Sequence, residues 1–251
     1  MATDIVKSPL PLVVQLSFAG SRMLFDAAIH QVPDQAAFEE SVCAQLTTIL
    51  ARLPDELGLS QQHFFCGISQ LAIGGDTVFT RACERLGIVQ RVFLPQPIDE
   101  YLSSGGGQQS DFTVAQQQIA RDLLASPRII QQCVVSGSPL RNVRFSDTNL
   151  ELLRVSDVIV ALVRPFQPKV PGGTVELIGM AENRGRPVLV ATIEVAEERP
   201  VLSTEWRNLN RFKKPIPPTP IRDLGTSLVG KMPPPKRRRA PRQLLPSMAI
   251  I

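Results

Sequence analysis

Three groups of residues in this 251-residue chain have types and spacings suited to holding an oxyanion. The first is Pro171-Gly172-Gly173-Thr174-Val175-Glu176, which follows the apolar run Val158–Val163. Beyond it Val175, Leu177, Ile178, Met180 and Ala181 recur at helical spacing until Gly185. Two glycines at a loop-to-helix junction let backbone approach a ligand with no Cβ in the way. The free N–H groups and positive dipole of a helix start attract phosphate or carboxylate. Thr174 adds a hydroxyl, and Glu176 a carboxylate within one turn of it. A capping role for Gly173 or Thr174, with Glu176 complementing the dipole, accounts for the same residues without a ligand. The second group, Gly20-Ser21-Arg22, follows the strand-like Leu12–Phe18 and supplies a glycine, a hydroxyl and a guanidinium. That set suits an oxyanion of a nucleotide or sugar phosphate, or makes an ordinary turn with a solvent-facing Arg. The third, Gly74-Gly75-Asp76, stands before a helical segment, where Asp76 either accepts hydrogen bonds from ligand hydroxyls or N-caps that helix.

Six apolar or β-branched runs must carry these groups: Leu12–Phe18, His63–Gly67, Val89–Leu94, Ile129–Val135, Val158–Val163 and Pro187–Thr192. Helical patterns lie between them at Phe38–Leu53, ended by Pro54, and at Thr77–Arg85, Asp111–Ala125, Asp147–Arg154 and Val175 to Gly185. The alternation predicts an α/β fold, a Rossmann-like three-layer domain with a mostly parallel sheet of about six strands covered on both faces. Ile98–Ser110, with Ser103-Ser104-Gly105-Gly106-Gly107, reads as a mobile loop. In such sheets ligands bind outside the carboxyl ends of the strands, near the point where strand order reverses. All three glycine groups follow strands, so all three belong on that edge.

Charge is divided unevenly along the chain. The formal net charge is +4, yet Trp206–Ile251 holds eleven Lys/Arg against a single Asp, which leaves residues 1–205 at −6. An acidic folded part lacks the basic face expected of a nucleic-acid-binding core. We therefore expect a domain over 1–200 and a proline-rich basic tail or linker over 201–251. Pro215–Pro220, Pro233–Pro235 and Lys236-Arg237-Arg238-Arg239 cannot bury much apolar surface, so this tail is expected to be disordered. Its basic cluster suits a protein, polyanion or membrane-surface partner or a nuclear-import signal, or is simply solvated. The closing Leu244–Ile251 is apolar enough to dock on something. Cys43, Cys66, Cys83 and Cys133 are scattered and only His30 and His63 accompany them, so reduced thiols, and no zinc site, are expected. No run reaches the ~18 apolar residues of a membrane span, and no basic n-region precedes an apolar stretch, which points to a cytoplasmic protein without a signal peptide.

Phe18-Ala19-Gly20-Ser21-Arg22, Gly74-Gly75-Asp76 before a helix, Leu94-Pro95, Ser156-Asp157-Val158 and Pro171–Glu176 together resemble the SLOG superfamily of Rossmann-like nucleotide binders, over about residues 12–192. Its implied members include cytokinin-activating phosphoribohydrolases, DNA-processing protein A and sensor modules for nucleotide-derived signals. By that resemblance Gly20, Ser21 and Arg22 match the first ligand-binding loop. Gly172, Gly173 and Thr174 match the phosphate-binding turn, and Glu176 the acidic position after it. The phosphoribohydrolase pattern is Pro-Gly-Gly-x-Gly-Thr-x-x-Glu, whereas this chain lacks the inserted x-Gly and has one residue between Thr174 and Glu176. On a helix that shift rotates the carboxylate by about 100°. A weaker resemblance, carried by Asp157–Ala161, Gly173-Thr174, Glu176 and Gly179–Ala181, is to nucleoside deoxyribosyltransferases. Such chemistry needs a carboxylate aimed at the anomeric carbon, for which Glu176 is the candidate, and help for the leaving base, a role for Asp76 unless it contacts the ribose instead. Two functions are therefore expected: a module that senses a nucleotide or nucleotide-derived ligand, or an N-glycosidic-bond enzyme using Glu176. Neither implies a cofactor or a metal, and both leave oligomerisation open.

Overall fold

Strand β1 (Leu12–Gly20) runs through the middle of a seven-stranded sheet in the order β4-β3-β2-β1-β5-β6-β7. The other strands are β2 (His63–Ser69), β3 (Val89–Leu94), β4 (Ile129–Val134), β5 (Val158–Val163), β6 (Val188–Ala196) and β7 (Arg199–Arg207). All neighbours are parallel except β6 and β7. Every residue of β5 is buried, as a continuous Val/Ile/Leu/Ala run requires when helices cover both faces of a parallel sheet. The structure, a computed structural model, describes residues 12–26, 29–30, 32–103 and 112–212.

On one face, Leu16, Phe18, Val160 and Leu162 pack against Phe38, Val42, Leu46 and Leu50 of α1 (Gln35–Leu57) and against α2 (Gly75–Arg85). The Phe18 and Phe79 rings stack there with centroids 4.4 Å apart. On the opposite face Ile159, Ala161 and Val163 meet Leu152 and Leu153 of α5 (Arg141–Val155) and Leu177 and Ile178 of α6 (Thr174–Asn183). A third cluster, including Leu71, Val92 and Tyr101, lies under α3 (Ile98–Ser103) and α4 (Val114–Leu124). Each fully buried Leu, Ile or Phe contributes about 1.5–3 kcal/mol, so these layers fix where the strand ends point.

Several elements differ from expectation. Helix α1 does not stop at Pro54 but continues to Leu57, with Leu59 N–H bonded to the Pro54 carbonyl and Gly58 ending it in the left-handed region. Residues 98–103 form α3 rather than loop, and the glycine run of that segment lies outside the described residues. Helix α5 begins at Arg141, six residues before the expected start. Strand β7 adds a seventh strand to the expected six. It returns along β6 through a two-residue turn, Glu197-Glu198, whose φ angles are +49° and +63°. The expected boundary at residue 200 falls within β7, and the compact unit runs from Met1 to Lys214. A second unit, Pro215–Ile251, contains Lys236–Arg239 and lies outside the described residues. Cys43, Cys66 and Cys83 are buried free thiols and Cys133 is half-buried. Among the described residues no helix is long and apolar enough to cross a membrane, and no group of three His, Cys, Asp or Glu is placed to hold a metal ion.

Candidate functional site

Strand order reverses between β1 and β5, whose partners lie on opposite sides, so the loops leaving their carboxyl ends splay apart and open a crevice. A cavity of about 440 Å³ occupies it. The loop after β1 lines it with Gly20, Ser21 and Arg22, and the end of β2 with Gln70. Helix α2 adds Asp76, helix α5 Arg141, Phe145 and Asn149, and the long connection after β5 Arg164 and Gly172–Thr174.

Of the residues singled out in the sequence, Gly20, Ser21, Arg22, Asp76, Gly172, Gly173 and Thr174 are brought together here. Gly74, Gly75 and Glu176 do not line the cavity. The reason for the Gly74-Gly75 pair is packing. A Cβ on Gly75 would lie 2.6 Å from Gly20 Cα, and one on Gly74, at φ +80°, only 2.2 Å from the Arg22 carbonyl oxygen. The start of α2 therefore crosses the end of β1 backbone against backbone, tied by Gly75 N–H to the Ser21 carbonyl at 2.9 Å. Ser21 is likewise turned inward, its hydroxyl donating to the Met23 carbonyl at 2.7 Å.

At the third turn Gly172 has φ +74° and presses on Phe145, whose Cβ would be 2.3 Å from a Cβ at that position. Gly173, with φ −89° and ψ 170°, is the N-cap of α6 in extended backbone that any residue adopts. Glu176 folds back onto this turn. Its carboxylate accepts the Gly172 N–H at 2.7 Å, and the Ser146 hydroxyl and the Asn149 amide at 3.4 Å. That arrangement places a negative charge against the helix start and uses one of its approach donors. Gly173 N–H is also engaged, by the Val170 carbonyl at 3.0 Å. Asn149 continues inward, donating to the Gly173 carbonyl and accepting from Gln70, so β2, α5 and α6 are stitched together behind the cavity.

Asp76 is not the N-cap of α2, a place taken by Gly74, but lies within the first turn, 3% exposed and facing the cavity. It accepts the Gln70 N–H at 3.2 Å. Burial pushes its carboxyl up to about 7, against the opposing pull of the Gln70 and Gly20 N–H groups and the Arg22 guanidinium.

The positive side of the site comes from three arginines. Arg22 and Arg141 stand over Phe145, with Cζ 5.1 and 5.5 Å from its ring centroid. Arg164 is 3.9 Å from an Asp26 carboxylate oxygen, and its buried Nε–H finds no acceptor among the described residues. Arg141, Phe145, Asn149 and Arg164 escaped the sequence reading. The first three recur every four residues along α5, a cationic, aromatic and polar stripe on a helix whose Leu152 and Leu153 enter the core. That stripe is the signal that could have found them.

No protein-family model and no curated protein matches the sequence. Among solved structures the chain is similar to DNA processing protein A from Streptococcus pneumoniae, at 15% identity and a TM-score of 0.40, over 70% of this chain and 49% of that one. It thus spans about half the length of that protein. It is also similar to TM1055, a structural genomics target, at 16% identity and a TM-score of 0.37, over 70% of this chain and 72% of that one. The Rossmann-like sheet carries its cavity at the topological switch point.

Proposed function

We propose that this chain binds a nucleotide or nucleotide-derived ligand in the cavity between the β1 and β5 loops and acts as a sensor or regulatory module. The observation that carries this reading is the convergence of Arg22, Arg141 and Arg164 on one cavity of a domain whose own charge is negative. A concave site lined by one sign of charge concentrates ligands of the other sign, and guanidinium forks match phosphate oxygens. The α6 start beside Thr174 adds first-turn N–H groups that have no acceptor within the helix. In this reading the anion rests mainly on the arginines, because Glu176 and the Val170 carbonyl already engage Gly172 and Gly173. The 215–251 segment, with Lys236–Arg239, is the part we assign to a protein or polyanion partner.

Isothermal calorimetry with AMP, ADP, ATP and NAD tests the reading on the full chain. At least one should bind, and Arg164→Met should weaken it roughly 10- to 100-fold, the range for a hydrogen bond to a charged group, with unchanged thermal stability. No binding by the parent, or equal binding by the variant, would overturn it. One observation favours an N-glycosidic enzyme as second reading: Asp76 faces the cavity with a carboxyl near 7, a value suited to a general acid. Base release from a bound nucleotide, abolished by Asp76→Asn, would establish that reading.

A further inference from the structure

Between Arg164 and Gln167, both of which line the cavity, the chain turns through Pro165 and Phe166. Phe166 has φ +56° and is 103% exposed. Each property is unfavourable alone. Left-handed backbone costs a residue with a Cβ on the order of 1–2 kcal/mol, and a turn with Pro at its second position and positive φ at its third ordinarily takes Gly there. Full exposure forgoes the largest apolar surface in the loop.

The other non-glycine residues with positive φ show what usually compensates. Leu71 is buried at 0% exposure in the core, Glu197 and Glu198 form the tight hairpin between β6 and β7, and Asn208, a residue type that tolerates this backbone, donates to the Glu182 and Arg186 carbonyls. Phe166 has none of these compensations. Phe166 does not itself line the cavity, but Arg164 and Gln167 on either side of it do, and strain that folding does not require points to function when it is observed beside a site. Apolar side chains share the rim of the cavity with Arg22 and Asn142: Met23 and Val170 line the cavity and are 54% and 49% exposed. Pro165, Pro168 and Pro171 restrict φ along the same loop, which limits how far its backbone can relax.

The cavity therefore has two chemistries, cationic at Arg22, Arg141 and Arg164 and apolar at Met23 and Val170. Inorganic polyphosphate would use only the first. Resting on the nucleotide reading of this cavity, we propose that Phe166 is the platform on which the ligand's base stacks, so that the site selects a base-bearing nucleotide over a bare polyphosphate. A ring held out in solvent on a proline-stiffened turn is already in place for this, and stacking needs only a π-face, so purine and pyrimidine nucleotides would both be accepted.

The experiment titrates ADP and pyrophosphate into the full chain, its Phe166→Ala and Phe166→Trp variants, and Phe166→Asn, whose residue tolerates left-handed backbone and so retains the turn. The Ala and Asn variants should bind ADP roughly 5- to 150-fold more weakly, the range for loss of one base–aromatic stack, and pyrophosphate unchanged. The Trp variant should bind ADP at least as tightly as the parent. Unchanged ADP affinity in the Ala and Asn variants overturns the inference, as does a parent that binds pyrophosphate as tightly as ADP, although an anion site then remains. A parent that binds neither overturns the nucleotide reading as well.

Discussion

Two helix starts in this protein look alike in sequence and are used in opposite ways. Both α2 and α6 follow a strand, open on a glycine pair and carry an acid in the first turn, Asp76 in one and Glu176 in the other. At α2 the glycines serve the frame: Gly74 and Gly75 let the helix meet β1 with no side chain between them, and the acid is driven into the cavity. At α6 the glycines shape the cavity wall, and the acid turns away to accept the Gly172 N–H. A glycine pair before a helix thus reports close approach of backbone, and only the surroundings say whether the neighbour is a ligand or another part of the chain.

Substitutions at these two starts sharpen the contrast. The largest effect is expected for Gly75→Ala, because the new Cβ meets Gly20 Cα at 2.6 Å and both sides of the clash are backbone. Overpacking with no movable partner should cost at least about 4 kcal/mol in urea unfolding. A near-native midpoint would mean that the crossing is looser than described.

Asp76→Asn should show next, as a change in pH dependence. The folded carboxyl titrates at about 7 against an ordinary 3.8, so the proton is held more tightly in the folded state. The stability this contributes is full below about pH 4 and is lost as pH rises through 7. Relative to the Asn variant, the parent should therefore lose on the order of 3 kcal/mol between pH 4 and pH 8. Parallel stability profiles for the two proteins would contradict the burial of Asp76. The smallest effect belongs to Gly173→Ala, at φ −89°, whose Cβ would meet the movable Val170 Cγ2 at 2.8 Å and the Val170 carbonyl oxygen at 3.1 Å, a contact that a shift of a few tenths of an ångström relieves. Thermal unfolding should report a loss below about 1 kcal/mol. A loss as large as at Gly75 would make the two turns equivalent after all.

Most of the fold was legible because parallel strands leave a plain trace. Val158–Val163 and Val89–Leu94 are recovered with their observed bounds, the first because burial on both faces demands an unbroken apolar run, the second through Val89 and Val92-Phe93-Leu94 around Gln90-Arg91. Strand β7 was not, because only one face is covered and the turn before it is Glu-Glu rather than the Asn-Gly that announces a hairpin. The first turns of α5 were hidden by Ser136-Gly137-Ser138-Pro139 and by an N-cap, Leu140, that makes no side-chain capping bond. Their loss also concealed half of the site. Backbone turns announce themselves through glycine, whereas Arg141, Phe145 and Asn149 become neighbours of Arg22 and Gly172 only once α5 is laid across the sheet edge.

The crossing of Gly20 over Gly75 has a consequence for how this protein can change. Because it is built from main chain, the junction that sets the crevice does not depend on the identity of Arg22, Arg141, Phe145, Arg164 or Phe166. Those side chains can be exchanged for others while the frame is retained. If the cavity binds as proposed, recognition is a replaceable set of side chains on a fixed mould, and a library varied at those five positions, with Gly20 and Gly75 left alone, is the natural route to new ligands.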